Sequence, residues 1–246
     1  MFEHIISLGH FCGVAQELER LGLRDASYPF DWLITTREPL HQLIDSHFDG
    51  FLEYENLYQY QVVKNVYRNK HYDFGVSFYH DFSKYKPLDV QLDEVKEKYA
   101  RRIERFYTAI AEPTLFVRYV SNKADAEYYS NHSGECLAYY KQFCPENELL
   151  FVVDDRYKQF GIPNAYYVER DENDSVARHF ADKNKELRDF LLSDEIYDKN
   201  ERQKNLAVYN ETQKKKQQQN GIANKILKKA ESKIRKPYKH INTIEK

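Results

Sequence analysis

A chain of 246 residues with 41% apolar and 15% aromatic side chains has material for one sizeable core and an appendage rather than two full domains. The net charge of −2 conceals an acidic body and a basic end: residues 201–246 hold 13 Lys+Arg against 4 Asp+Glu, a net of +9, and residues 1–200 hold 24 against 35, a net of −11. Three cysteines exclude a disulfide framework, no window approaches about 18 consecutive apolar residues, and Met1-Phe2-Glu3-His4 lacks the positive start of a secretory leader, so a reducing, cytoplasmic setting is expected.

In chain order, Ile5, Ile6 and Leu8 read as a short buried strand that stops at Gly9-His10-Phe11-Cys12. From Gly13 the apolar residues Val14, Leu18 and Leu21 recur at helical spacing, and Gly22-Leu23-Arg24 ends that helix. Ser27-Tyr28-Pro29-Phe30-Asp31-Trp32 is irregular, because Pro29 keeps Tyr28 out of helical geometry, and Thr36-Arg37-Glu38-Pro39 starts a helix through Leu40, Leu43 and Ile44. Tyr60–Tyr67 and Phe74–Phe82 are two β-like runs. Leu92, Val95, Tyr99, Ile103, Phe106 and Ile110 form one helical stripe, ended by Pro113. Buried strands follow at Thr114–Val120 and Leu149–Val153, separated by a helix over Ala124–Phe143; a shorter strand at Ala165–Val168 and a helix from Ser175 to Leu192 complete the body.

The alternation predicts an α/β fold with a mainly parallel sheet and helices on both faces over residues 1–200. A basic helical or partly disordered tail is expected over residues 201–246. There Lys214–Asn220 has nothing to bury, and Ile222, Ile226, Leu227, Ala230 and Ile234 form a narrow stripe suited to peripheral contact with an anionic inner membrane face or an acidic partner. An acidic body without a recognised binding motif argues against nucleic acid.

Cys12 is the focus of the chemistry. At a strand-to-helix handover, the free N–H groups and dipole of the helix favour a thiolate and offer donors to an oxyanion. A nucleophilic thiol needs a base and an orienting group: His80, at the end of a β-like run, is the candidate base, and Asp31 or Asp81 the candidate orienter. Adjacent His and Asp on a strand point to opposite faces, which favours Asp31. At the carboxyl ends of the same strands His10, Arg118, Asp154 and Asp155 are candidate substrate-binding groups, since open α/β sheets bind ligands there. His10, Cys12 and His80 match no zinc spacing, Cys136 and Cys144 read as packed residues, and no Gly-rich phosphate loop occurs, so no metal or cofactor is expected.

Ile6-Ser7-Leu8-Gly9-x-x-Cys12, Leu23-Arg24 and Ser27-x-Pro29-Phe30-Asp31-Trp32-Leu33 together resemble the signature of an uncharacterised family labelled as papain-like cysteine peptidases. Phe78-Tyr79-His80-Asp81-Phe82, Arg101-Arg102-Ile103-x-Arg105-Phe106 and Leu115-Phe116-Val117-Arg118 extend the likeness over about residues 3–155. The resemblance implies a Cys/His thiol mechanism with Cys12 as nucleophile and His80 as base, acting on a peptide, glycan or other small substrate in surface polysaccharide assembly. The chain departs from papain in following Cys12 with Gly13-Val14-Ala15 and in alternating strands with helices. A different reading of Asp154-Asp155, Arg118 and the basic tail is a glycosyl- or phosphosugar-transferase of envelope polysaccharide synthesis, with the paired carboxylates holding a divalent ion. A non-catalytic binding protein is the third.

Overall fold

The computed structural model describes residues 1–174 and 176–234. They divide into two units, Met1–Asn205 and the described residues from Leu206 onward.

The first unit is built on two four-stranded sheets. In the first, β1 (His4–Ser7), β6 (Thr114–Val120), β7 (Glu148–Asp154) and β8 (Ala165–Val168) lie in that order, all parallel. Every residue of β6 is buried, the mark of a strand covered on both faces. Successive side chains alternate between the faces and so sort into two cores. Ile6, Phe116, Val120, Leu149, Phe151 and Val153 enter one core, where α3 (Leu88–Ile110), α4 (Lys123–Lys141) and the second sheet pack. Ile5, Leu115, Val117, Tyr119, Leu150 and Val152 enter the other, against α1 (Gly13–Arg20), α5 (Phe180–Lys183) and α6 (Lys185–Leu191).

The second sheet is antiparallel, in the order β2 (Leu33–Thr35), β5 (Val76–Phe78), β4 (Val66–Asn69) and β3 (Leu57–Gln61). It corrects the expectation of a mainly parallel fold: half of the strands are antiparallel. The β-like run Tyr60–Tyr67 is a hairpin whose turn at residues 62–65 ends on Asn65 at φ 52°, a left-handed position that asparagine tolerates. The helix expected over Ser175–Leu192 is two short helices, because Asn184 is extended at φ −138° and its side chain accepts from Leu187 N–H, capping α6. Ser175 itself lies outside the described residues. The helix α2 (Pro39–Asp45) starts on proline as anticipated.

α7 runs Lys199–Ile234, and Ile222 and Ala230 on it are exposed. The side chains of the other stripe residues expected there, Ile226, Leu227 and Ile234, lie outside the described set, as do residues 235–246. No helix among the described residues is long and apolar enough to cross a membrane.

Candidate active site

The Gly9–Cys12 turn leaves β1 through two consecutive left-handed residues, Gly9 at φ 76° and His10 at φ 77°. Only glycine fits the first: a Cβ there would lie 2.3 Å from Thr35 Oγ1 and 3.3 Å from Phe30 O. Thr35 is the anchor of this turn, accepting His10 N–H at 3.1 Å and donating to Leu8 O at 3.2 Å. Cys12 then occupies the N-cap position of α1, so the strand-to-helix handover read from the sequence is present.

His80 lies in the bend after β5, on the antiparallel sheet rather than the rim of the parallel one. Cys12 and His80 nevertheless line one cleft of about 340 Å³, together with His10, Trp32, Tyr79 and Arg178. There is no hydrogen bond between Cys12 and His80; the imidazole is exposed and meets the edge of Trp32 at a centroid distance of 6.2 Å. Catalytic hydrogen bonds of unliganded sites commonly tighten only when substrate binds.

The thiolate expectation is corrected. Burial pushes the Cys12 thiol above the ordinary value, and the nearby Arg178 cation and the residue's own backbone N–H only partly offset it. Desolvation is the larger influence, so the fold favours the neutral thiol over the thiolate. Arg178 is a contributor that the sequence reading missed. It is 57% exposed, paired with Asp174 at 2.8 Å, and carried on the stretch that follows β8. That stretch is pinned by Ala177 N–H donating to Tyr119 Oη at 2.8 Å, and by the fully buried Glu17, which accepts Ala181 N–H while pairing with Arg20. Glu17 lies in α1, five residues after Cys12, so the helix that starts at Cys12 also anchors the stretch that carries Arg178.

His10 is the second imidazole in the cleft. Its ring stacks on Tyr119, and Nε2 lies 2.6 Å from Ser121 Oγ at the end of β6. Burial, followed by the Arg118 charge, lowers its pKa to about 3, so the ring is neutral at physiological pH. Between about 3 and 6.5 the unfolded chain holds a proton that the folded chain refuses. The stability owed to neutral His10 is thus complete above 6.5 and is lost as pH falls through that window. We expect the unfolding free energy to fall by up to about 1.4 kcal/mol per pH unit from this group. Urea melts of His10→Asn at pH 4 to 7 should show a shallower dependence than the parent; an equal slope would refute the assignment.

The other expected site residues are placed as follows. Asp31 is 1% exposed, and its Oδ2 accepts Arg24 Nε–H and Tyr28 N–H, each at 2.9 Å, with no bond to His80. Burial raises its pKa against the opposing pull of Arg24 and Tyr28 N–H. Asp81 pairs with Lys98 at 2.6 Å and accepts from Tyr99. Asp154 is buried with both oxygens on the Arg156 guanidinium at 2.8 and 2.6 Å, and Asp155 is exposed. Arg118 is fully buried and faces a different cavity from Cys12. No group of three or more His, Cys, Asp or Glu suited to a metal ion occurs among the described residues. Cys136 and Cys144 are both buried.

No solved structure matches the chain. An uncharacterised protein of Acanthamoeba polyphaga mimivirus is 35% identical over 125 residues, an alignment that covers 42% of this chain and 54% of that protein. The chain thus spans about half the length of this curated relative. Residues 3–133, more than half of the chain and the part that holds Gly9, Cys12, Asp31 and His80, match the family described as "putative papain-like cysteine peptidase" (DUF1796), and the chain belongs to that family.

Proposed function

We propose that the protein is a thiol-dependent acyl hydrolase or acyltransferase in which Cys12 is the nucleophile and His80 the general base. The observation that carries this reading is the shared cleft: residues 68 positions apart, one at the start of α1 and one in the bend after β5, line one cavity of about 340 Å³. The neutral His10 is a poor base, with a pKa of about 3 and Nε2 engaged by Ser121, so proton transfer falls to His80. In the reaction His80 takes the thiol proton as sulfur attacks the acyl carbon. The backbone N–H groups opening α1 face the resulting oxyanion, and His80 returns the proton to the leaving group. Arg178 favours the thiolate once a substrate has displaced water, and Trp32 and Tyr79 offer flat faces to a peptide or sugar. A glycan-linked acyl group is the version of this reading that joins it to surface polysaccharide assembly. Asp31, two residues from the cleft-lining β2, acts here by fixing Trp32 beside His80.

The reading is tested by acylation with p-nitrophenyl acetate followed by intact-mass and peptide mapping. Acetyl transfer should map to Cys12, vanish in Cys12→Ala and slow at least about a hundredfold in His80→Ala, the low side of general-base contributions. Acylation of His80→Ala at the parent rate would remove His80 from the mechanism. Iodoacetamide on the folded chain should modify Cys12 ahead of Cys136 and Cys144, since only Cys12 is half-exposed. Because burial raises the thiol pKa, that rate should continue climbing above the ordinary cysteine value of about 8.5, and Arg178→Ala should slow it further at neutral pH. A rate already flat at pH 7 would contradict the raised thiol pKa.

A further inference from the structure

A second cavity of about 300 Å³ opens on the opposite core face of the parallel sheet, and no residue that lines it also lines the Cys12 cleft. Arg118 forms its inner wall. This guanidinium is 0% exposed, yet the groups it bonds are neutral: Nη1 donates to Leu8 O at 2.8 Å and Thr35 Oγ1 at 3.1 Å, Nη2 donates to Thr35 O at 3.0 Å, and the Tyr129 side chain is a further hydrogen-bond partner. Its Nε–H has no acceptor, and among the described residues no carboxylate forms an ion pair with it. A fully buried cation without a counter-charge is costly and uncommon, and carboxylate or phosphate is the partner that a guanidinium fork fits best.

The neighbouring Arg37 sharpens the case. Its guanidinium is already balanced, with Asp125 at 3.1 Å, Glu38 at 3.1 Å and the face of Tyr128 at 4.2 Å. Arg118, by contrast, has no carboxylate in direct contact, and Glu38 on the same cavity wall feels its charge without forming an ion pair with it. Tyr128, Tyr129 and Phe151 line the remainder with aromatic faces, and the volume is at the small end for ligand sites, the size of a single amino acid or sugar. We propose that this cavity binds a small molecule through an oxyanion, carboxylate or phosphate, seated on the free Nε–H of Arg118 with Arg37 at the entrance. The site needs nothing from Cys12 chemistry. It does share a junction with it: Thr35, held by Arg118, also accepts the His10 N–H that sets the nucleophile turn.

The experiment is titration of the full ¹⁵N-labelled chain with sodium acetate and, separately, inorganic phosphate, following arginine Nε–Hε resonances, with sodium chloride as control. One resonance, missing from Arg118→Lys, should shift saturably with at least one oxyanion. Arg37→Gln should weaken the apparent affinity roughly tenfold, and Cys12→Ser should leave it unchanged. Tighter binding of phosphate points to a phosphorylated ligand, and tighter binding of acetate to a carboxylated one. Shifts no larger than those with chloride, or retained in full by Arg37→Gln, would overturn the site. Arg37 is half-buried at the entrance, so its variant keeps the test open should Arg118→Lys fail to fold.

Discussion

Gly9→Ala should cost the protein about 3 kcal/mol, combining roughly 1–2 kcal/mol for a left-handed non-glycine residue with a similar overpacking term. The overlap cannot be relieved cheaply, because the methyl would meet Thr35 Oγ1 at 2.3 Å and Thr35 is held by Leu8, His10 and Arg118 together. For a chain of this size a loss of that order lowers the melting temperature by about 6–12 °C. The turn that carries Cys12 should shift with it, so iodoacetamide modification of Cys12 should change in rate even well below the melting temperature. Gly134→Ala is the matched control: it lies within α4, has nothing within 4 Å of the added Cβ, and should stabilise by about 0.5–1 kcal/mol. Denaturant melts of both variants check the pair, and a Gly9→Ala protein within experimental error of the parent would show that Thr35 yields.

Asp31→Ala should be as damaging, for an electrostatic reason. It leaves the Arg24 guanidinium, 8% exposed, with Glu19 at 3.3 Å as its remaining carboxylate and Ser27 Oγ at 2.6 Å, and leaves the Tyr28 N–H without its acceptor. Breaking a buried pair from one side typically costs about 3–5 kcal/mol, and the remaining Glu19 contact places this variant near the lower figure. Asp31→Asn, which keeps an oxygen for Tyr28 N–H, should recover part of it. The measurement that separates a scaffold role from an orienting one is Cys12 acylation in Asp31→Asn below its melting temperature. Stability lost with acylation preserved identifies the turn anchor; acylation lost with stability preserved would instead make Asp31 act through His80.

Much of this arrangement was legible in the chain. The Gly9-to-Cys12 handover, the α3 stripe from Leu92 to Ile110 and the buried strands read at 114–120 and 149–153 all carry strong periodicity or punctuation, and each forms there, the last longer by one residue at each end. β2 was not legible, because three residues bounded by Trp32 and Thr36 show no alternation to count. The second sheet was hidden with it, since β2 pairs with β5, over 40 positions later. The upward shift of the Cys12 thiol also escaped a local reading: the helix start is written in residues 12–16, whereas burial and the Asp174, Val176 and Arg178 that line the same cleft come only with the fold. Arg178 was invisible for the same reason.

The family match ends at residue 133, inside α4, yet the sheet that holds the Cys12 turn does not end there. β7 and β8 come later, as do Phe180, Leu187, Leu191 and Tyr197, which share the second core with Ile5 and Val14. A polypeptide cut at the match boundary would present β6, apolar on both sides, with an unpaired edge and bare flanks, a configuration that invites aggregation. The smallest expressible piece of this protein accordingly reaches at least Tyr197, and boundaries for producing it are better drawn from the second hydrophobic layer than from the extent of sequence likeness.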